Sequence, residues 1–372
     1  GMNAVVCGDV PRSVGLSSSS AVFVAAATAL ARLNGIEIEP DRLVGLCGEG
    51  EWFVGTRGGA GDHAAMVYAH RGMISQIGFF PVHLARQAAL PGNIEIILCN
   101  SYQRAQKSRE ARDRFNARVA AYEIALAVFR QRWPQLTANV AHLRDVNPDT
   151  LGIGVDRLYE ALKTIPLWMT RKEVYCALPE QADEIETWFA THGDHEGGYP
   201  IRAVLLFGIA ECERSRMALD VITSADKTRI GRLFAVSHDG DRVTRRRRDG
   251  RRASWAAEFD DDYLDRLIRL SQSDDPADRE RAALVNQPGA YGCSTPEIDE
   301  MIDIANATEG VVGAQLVGAG LGGSIVVLAY KGAGQALSDA LERGYYGPRG
   351  LKPDVHVFQP GEGANFLTLD DV

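Results

Sequence analysis

The sequence has no C-x-x-C pair, no internal repeat and no apolar run of the ~20 residues that a membrane-spanning helix needs. Its six cysteines (Cys7, Cys47, Cys99, Cys176, Cys212, Cys293) are widely scattered. That spacing argues against a zinc site or a disulfide frame and for reduced, partly buried thiols. Positive charge is also short: the net charge is −9, which disfavours non-specific nucleic-acid binding. No signal-peptide pattern opens the chain, and Gly1 ahead of Met2 reads as a leftover of expression. These absences leave a cytoplasmic globular protein as the expectation, without membrane or nucleic-acid partners. Its 372 residues are enough for two domains and a sizeable core.

The most informative segment is Gly8-Asp9-Val10-Pro11-Arg12-Ser13-Val14-Gly15-Leu16-Ser17-Ser18-Ser19-Ser20-Ala21. It reads as a strand end, a turn, a Gly/Ser loop and an apolar, Ala-rich helix. That order aims free backbone N–H groups and the positive end of a helix dipole at one point, which suits a phosphate. The serine hydroxyls add short neutral donors and a candidate Mg²⁺ ligand. A plain helix cap is the simpler use of such serines. No lysine follows the glycine, so the loop is not of the Walker type.

Three ordered stretches carry a resemblance. The serine loop resembles the second motif of the GHMP small-molecule kinases, P-x-x-x-G-L-(G/S)-S-S-(A/S), in its galactokinase-like form, with Pro11, Gly15, Leu16, Ser18 and Ser19 in place. Leu46 to His63 resembles C-x-x-x-E-x-x-x-G-x-x-x-G-x-M-D-Q, with Cys47, Glu51 and Asp62 matching, and Gly61 and His63 departing from Met and Gln. Gly313 to Ser324 resembles the third motif, G-A-(R/K)-x-(T/S)-G-(A/S)-G-x-G-G. Weaker echoes lie at Phe115–Val119 and at Ser294-Thr295-Pro296-Glu297-Ile298-Asp299.

The resemblance implies an α+β, two-lobed fold. Residues 1–100 would form a partial, S5-domain-2-like N-terminal lobe. Residues 101–372 would form a ferredoxin-like C-terminal lobe with an insertion at about 241–289. It implies ATP and Mg²⁺ as cofactors and transfer of the γ-phosphate to a hydroxyl, taken as C1, of galactose or a related sugar. Gly15, Leu16, Ser17, Ser18, Ser19 and Ser20 would cradle phosphate, with Gly318, Gly320, Gly322 and Gly323 closing over it. Ser19 and Glu51 would stand on the metal side, and Asp62 would serve as base. An Asp after glycines is also a common turn residue, and Glu51 could simply pair with Arg57.

One departure is large. Galactokinases open with R-x-N-x-x-G-E-H-x-D-Y well upstream of the phosphate loop, whereas this chain reaches that loop by Gly15. His192 to Tyr199 echoes the motif faintly, in the wrong place, and reads as a polar loop. Three explanations stand: a fragment, a lobe completed by a separate segment or a second copy, or a degenerate relative that binds nucleotide or sugar as a sensor.

Periodicity predicts further elements. Strands are expected over Ala4–Cys7, Met73–Ile77, Ile94–Leu98 and Ser324–Ala329, with another at Val355–Phe358. Helices are expected over Ser20–Asn34, from an Asp41 cap to about Glu51, over Gln103–Arg132 and, as the clearest amphipathic one, over Ala203–Ile222. Gly55–Gly61 reads as a loop. The arginine-rich stretch after Asp241 reads as a hairpin or loop plus one helix, Asp261–Gln272. Its arginines are expected on a solvated surface, with a partner contact or an acidic-ligand clamp as the other reading.

Overall fold

The computed structural model describes residues 3–10, 15–54, 59–103, 109–194 and 197–366. Pro11, Arg57 and most of the Gly55–Gly61 loop lie outside them. Residues 3–10 carry no regular structure and leave Val5 and Val6 exposed. The strand expected over Ala4–Cys7 is therefore not formed. A strand needs a hydrogen-bonded neighbour, and no described strand pairs with this one.

Three helices follow: α1 (Ser18–Leu33), α2 (Pro40–Glu51) and α3 (Gly61–Tyr68), which pack on one another. Val44, Ala64 and Tyr68 form their small core. A Cβ at Gly48 would stand 2.9 Å from that of Ala60, so glycine sets the close approach of α2 to the segment before α3. Asp41 does not cap α2. Pro40 occupies the first turn, where a missing N–H costs nothing, and the Asp41 carboxylate accepts the Tyr68 hydroxyl instead. Helix α1 leaves Val22, Leu30 and Leu33 exposed.

A hairpin of β1 (Met73–Gly78) and β2 (His83–Ala89) comes next, then β3 (Ile94–Asn100). The sequence His83-Leu84-Ala85-Arg86-Gln87-Ala88-Ala89 has too little apolar alternation to announce β2. A helical region follows: α4 (Arg109–Arg132), α5 (Pro148–Leu151), α6 (Val155–Lys163), α7 (Arg171–Ala177), α8 (Ala182–Phe189), α9 (Ile201–Thr223) and α10 (Lys227–Asp241). Helix α9 differs from the amphipathic expectation. All ten residues from Ile201 to Ala210 are buried, so its first half runs through the main core. Its outer half carries the first hairpin, through Gln76 Nε2 on the Ser215 carbonyl at 2.7 Å and Arg86 on Asp220.

The stretch after Asp241 holds a short hairpin, β4 (Thr244–Arg246) with β5 (Arg252–Ser254), and two helices, α11 (Asp261–Ser271) and α12 (Pro276–Ala282). Helix α12 was not foreseen, although Asp275 caps it and Pro276 opens it. This region is built into the fold. Buried Arg202 donates to the carbonyls of Lys163 (2.7 Å) and Ile165 (2.8 Å) at the end of α6 and to Asp261 (2.6 Å) at the start of α11. The arginines are partly spoken for. Arg245 pairs with Asp239 and lies over Trp255, and Arg252 pairs with Asp303.

The chain closes with α13 (Pro296–Asn306), β6 (Val311–Leu316), β7 (Ser324–Tyr330), α14 (Gly334–Leu341) and β8 (Val355–Phe358). An antiparallel sheet of order β6-β7-β3-β8 results. In chain order it is β-α-β-β-α-β, the ferredoxin-like arrangement, with the helical region as the first crossover. Side chains alternate across β3. Ile97 and Cys99 join the core under α13 and α14, while Ile94 and Ile96 face that of α9 and α10. The first strand of this sheet thus ends at residue 100, ahead of the lobe boundary drawn from the sequence. Strand β8 lies on the sheet's edge, and Val357 and Phe358 remain exposed. The fold class is α+β, as the resemblance implied.

Candidate active site

The N-terminus of α1 is the focus of the site. Ser17, at the N-cap position, adopts φ 50°, a left-handed conformation that a non-glycine residue rarely takes. Its hydroxyl makes no cap bond; it donates to Asp62 Oδ2. The first intrahelical bond runs from Ala21 N to Ser17 O at 3.1 Å. The amides of Ser18, Ser19 and Ser20 precede it and have no acceptor within the helix, which is the donor set a phosphate uses. Ser19 donates to Glu51 Oε1, and Ser20 donates to Glu51 Oε2 at 2.9 Å. The serine run therefore does not cap the helix. Three of its hydroxyls reach the two carboxylates singled out in the second motif.

Helices α2 and α3 deliver those carboxylates. Glu51 is the last residue of α2, and Asp62 lies in the first turn of α3. His63, next to Asp62, is buried, with Nε2 3.3 Å from Glu51 Oε2. Its Nδ1 has no hydrogen-bond partner among the described residues. The sequence flagged His63 only as a departure from Gln. Its contact with Glu51 was not legible, because it depends on how α3 crosses the end of α2.

The third glycine loop lies against the start of the serine loop. Gly15 (φ +81°) faces the Val317 carbonyl and Gly323, to which a Cβ would come within 3.7 and 3.8 Å. A Cβ on Gly318 (φ +71°) would stand 3.5 Å from the Gly15 carbonyl. Gly320, Gly322 and Gly323 also have positive φ. The loop is pinned on both sides: Gly323 N donates to Gln103 O at 2.8 Å, and Leu321 N donates to Cys293 O at 2.7 Å. The structure thus brings Gly15, Ser17, Ser19, Ser20, Glu51, Asp62, Gly318 and Gly323 into one connected arrangement. Leu16 and Ser18 are half-buried within it.

Hydroxyl and carboxylate oxygens are the hard donors that magnesium prefers. No group of three or more His, Cys, Asp or Glu able to hold a metal exists among the described residues. One carboxylate and hydroxyls alone make a partial shell, and Mg²⁺ commonly completes such a shell with waters and substrate phosphates. Adjacent ligands of an octahedral Mg²⁺ stand about 3 Å apart. The serine hydroxyls and Glu51, already in hydrogen-bond contact, fit that demand.

A second polar cluster lies behind the glycine loop. Asp299 is fully buried and accepts from Thr244 N (2.7 Å), Ser294 Oγ (2.6 Å) and Val243 N (3.1 Å), with His238 Nε2 at 3.1 Å. Burial pushes its carboxyl up, but the bonds from His238, Ser294 and Thr244 outweigh this and hold it below the usual range. The echo at Ser294–Asp299 in the sequence marks this pin between α10, the second hairpin and α13.

Comparisons with known proteins bear on the family and the fold. Residues 1–70 match the GHMP kinases N terminal domain and residues 256–347 the GHMP kinases C terminal domain. These two matches support a GHMP kinase, a class of phosphotransferases. Within that class the chain is galactokinase-like. It is 23% identical to the galactokinase of Roseiflexus sp. (strain RS-1) over 98% of this chain and 69% of that protein. It is 22% identical to the galactokinase of Dictyostelium discoideum over 93% of this chain and 64% of that protein. The fold matches that of Lactococcus lactis galactokinase, solved in complex with galactose, with a TM-score of 0.58 at 16% identity, over 97% of this chain and 69% of that one. The chain thus spans roughly two thirds of the length of these relatives. No helix among the described residues is long and apolar enough to cross a membrane.

Proposed function

We propose that this chain is an ATP- and Mg²⁺-dependent sugar kinase of the cytoplasm, transferring the γ-phosphate to a hydroxyl, C1 by the resemblance, of galactose or a related sugar. One observation carries the reading. The serine hydroxyls at the start of α1 reach Asp62 and Glu51 together, while the third glycine loop rests on Gly15. Phosphoryl transfer needs positioning and charge stabilisation more than covalent chemistry. The free amides of Ser18–Ser20 and the backbone of the two glycine loops hold the polyphosphate. Ser19 and Glu51 would hold the cation, which when bound would supply neutralisation of the phosphate charge. Asp62, kept in place by Ser17, takes or orients the proton of the acceptor hydroxyl. Val22, Leu30 and Leu33 lie exposed along one side of α1, an apolar strip on which a further segment or a second copy would pack.

ADP release from Mg²⁺-ATP, measured against free hexoses, pentoses and amino sugars, tests this reading. Turnover stimulated by one sugar is expected. A nucleotide-dependent thermal shift without turnover on any of them contradicts it and leaves a nucleotide or sugar sensor on the kinase scaffold.

A further inference from the structure

Glu51 presents its two oxygens to different surroundings. Oε1 accepts from exposed Ser19, whereas Oε2 accepts from buried Ser20 at 2.9 Å. His63 stands on that same inner side. It is 1% exposed, and its Nε2 lies 3.3 Å from Oε2. The contact is one of charge and dipole rather than an aligned hydrogen bond, and neither ring nitrogen has a hydrogen-bond partner among the described residues. A buried imidazole left so short of partners costs stability, and a leucine of similar size would fill the place without that cost. Packing alone therefore does not account for a histidine here.

The charge beside the ring fixes where its proton sits. Both Glu51 oxygens accept from hydroxyls. An Nε2 lone pair would set a further acceptor against Oε2, so Nε2 carries a proton. This holds for the neutral and the charged ring alike, since Nε2–H is present in both. The chain path delivers the contact. Asp62 and His63 are consecutive in the first turn of α3. Asp62 reaches Ser17 and His63 reaches Glu51, so one turn of α3 supplies the acceptor-side acid and braces the cation-side one. The approach of Gly48 to Ala60 sets where that turn meets α2.

We propose that His63 is a positioning residue: with Ser20 it holds Glu51 Oε2 from the inner side, so that Oε1 and Ser19 are presented to the divalent cation. Histidine stands where the resemblance expects glutamine, a residue that also carries an N–H donor. The proposal rests on the cation reading of Ser19 and Glu51 and adds the residue that fixes the carboxylate. Outer partners of a ligating carboxylate orient it, and losing one typically weakens metal binding about 10- to 100-fold.

Calorimetric titration of the whole chain with ADP, once in excess Mg²⁺ and once with chelator, tests the proposal without turnover. His63→Leu removes the N–H at similar volume. It should weaken ADP binding in Mg²⁺ about ten-fold or more and leave binding with chelator within about two-fold. His63→Gln, which restores an N–H donor, should return the affinity in Mg²⁺ to within about three-fold of the parent chain. His63→Met replaces His63→Leu if that variant does not fold. The proposal falls if the variant without an N–H binds ADP in Mg²⁺ as tightly as the parent, if it loses as much with chelator as with Mg²⁺, or if glutamine does not rescue. A parent chain whose ADP affinity Mg²⁺ leaves unchanged would defeat the cation reading itself, and this proposal with it. Absence of sugar-dependent ADP release would defeat the kinase reading alone and leave this test standing.

Discussion

Two glycines of the third loop, two residues apart, should respond very differently to alanine. Both have positive φ, +71° at Gly318 and +76° at Gly320. An L-residue there loses about 1–2 kcal/mol, offset by about 0.4–1 kcal/mol from the stiffer unfolded chain. At Gly318 nothing more is added, because the new Cβ meets the Gly15 carbonyl at an ordinary 3.5 Å. At Gly320 the Cβ would stand 2.2 Å from the Cys293 carbonyl oxygen, a backbone atom that accepts from Leu321 N and cannot swing aside. Relieving that overlap shifts the loop, at about 1–3 kcal/mol, and breaks a hydrogen bond of about 1 kcal/mol. Gly318→Ala should thus cost about 1 kcal/mol or less, and Gly320→Ala about 2–5 kcal/mol. Urea or thermal unfolding followed by circular dichroism reads the difference. At roughly 2 °C per kcal/mol for a chain of this size, Gly320→Ala should lower Tm by about 4–10 °C and Gly318→Ala by about 2 °C. Equal losses in the two variants, or a larger loss at Gly318, would refute the packing argument for the loop. Gly318→Ala should still weaken nucleotide binding, because its methyl points at the carbonyl of Gly15.

Glu51→Gln should weaken Mg²⁺-nucleotide binding about ten-fold or more and leave metal-free nucleotide binding within about two-fold, as read by titration with and without chelator; equal losses in both would take Glu51 off the metal. Arg202→Met should cost about 3 kcal/mol in urea unfolding, because it strips the carbonyls of Lys163 and Ile165 and the Asp261 carboxylate of their buried donor; a change under about 0.5 kcal/mol would show that α11 is not held there. Burial, then the nearby Glu211 and Asp299 charges, push the Asp241 carboxyl up to about 7, against bonds from Cys293 N and the field of Arg214. A carboxyl raised on folding favours the folded state while protonated, so its benefit is complete below the usual carboxylate range and is lost as pH rises through about 7. The Tm of Asp241→Asn minus that of the parent chain should therefore climb between pH 4 and pH 7 and then level off; a flat difference would contradict the environment described for Asp241.

The ordered motifs singled out serines, acids and positive-φ glycines that the structure brings close together. Ser19 and Glu51 were placed on one side and Asp62 on the other, and the structure joins them through hydroxyl contacts. The contact of Ser17 with Asp62 and the burial of His63 beside Glu51 were not legible, since both depend on the crossing of α1, α2 and α3. Strand β3 was legible from its apolar run, whereas β2 was hidden by its charge. Ala4–Cys7 carries a strand pattern that has no described partner. Helix α9 shows the limit of periodicity, because a helix buried all round in its first half has no polar face to count.

The central claim is that Asp62 works on the acceptor while the serine loop holds the nucleotide. The most direct test is Asp62→Asn, assayed for sugar-dependent ADP release and for Mg²⁺-nucleotide affinity in parallel. The account predicts a fall in turnover of about 100-fold or more with nucleotide affinity unchanged within about three-fold. Undiminished turnover would contradict it, and so would a loss of nucleotide binding as large as the loss of rate.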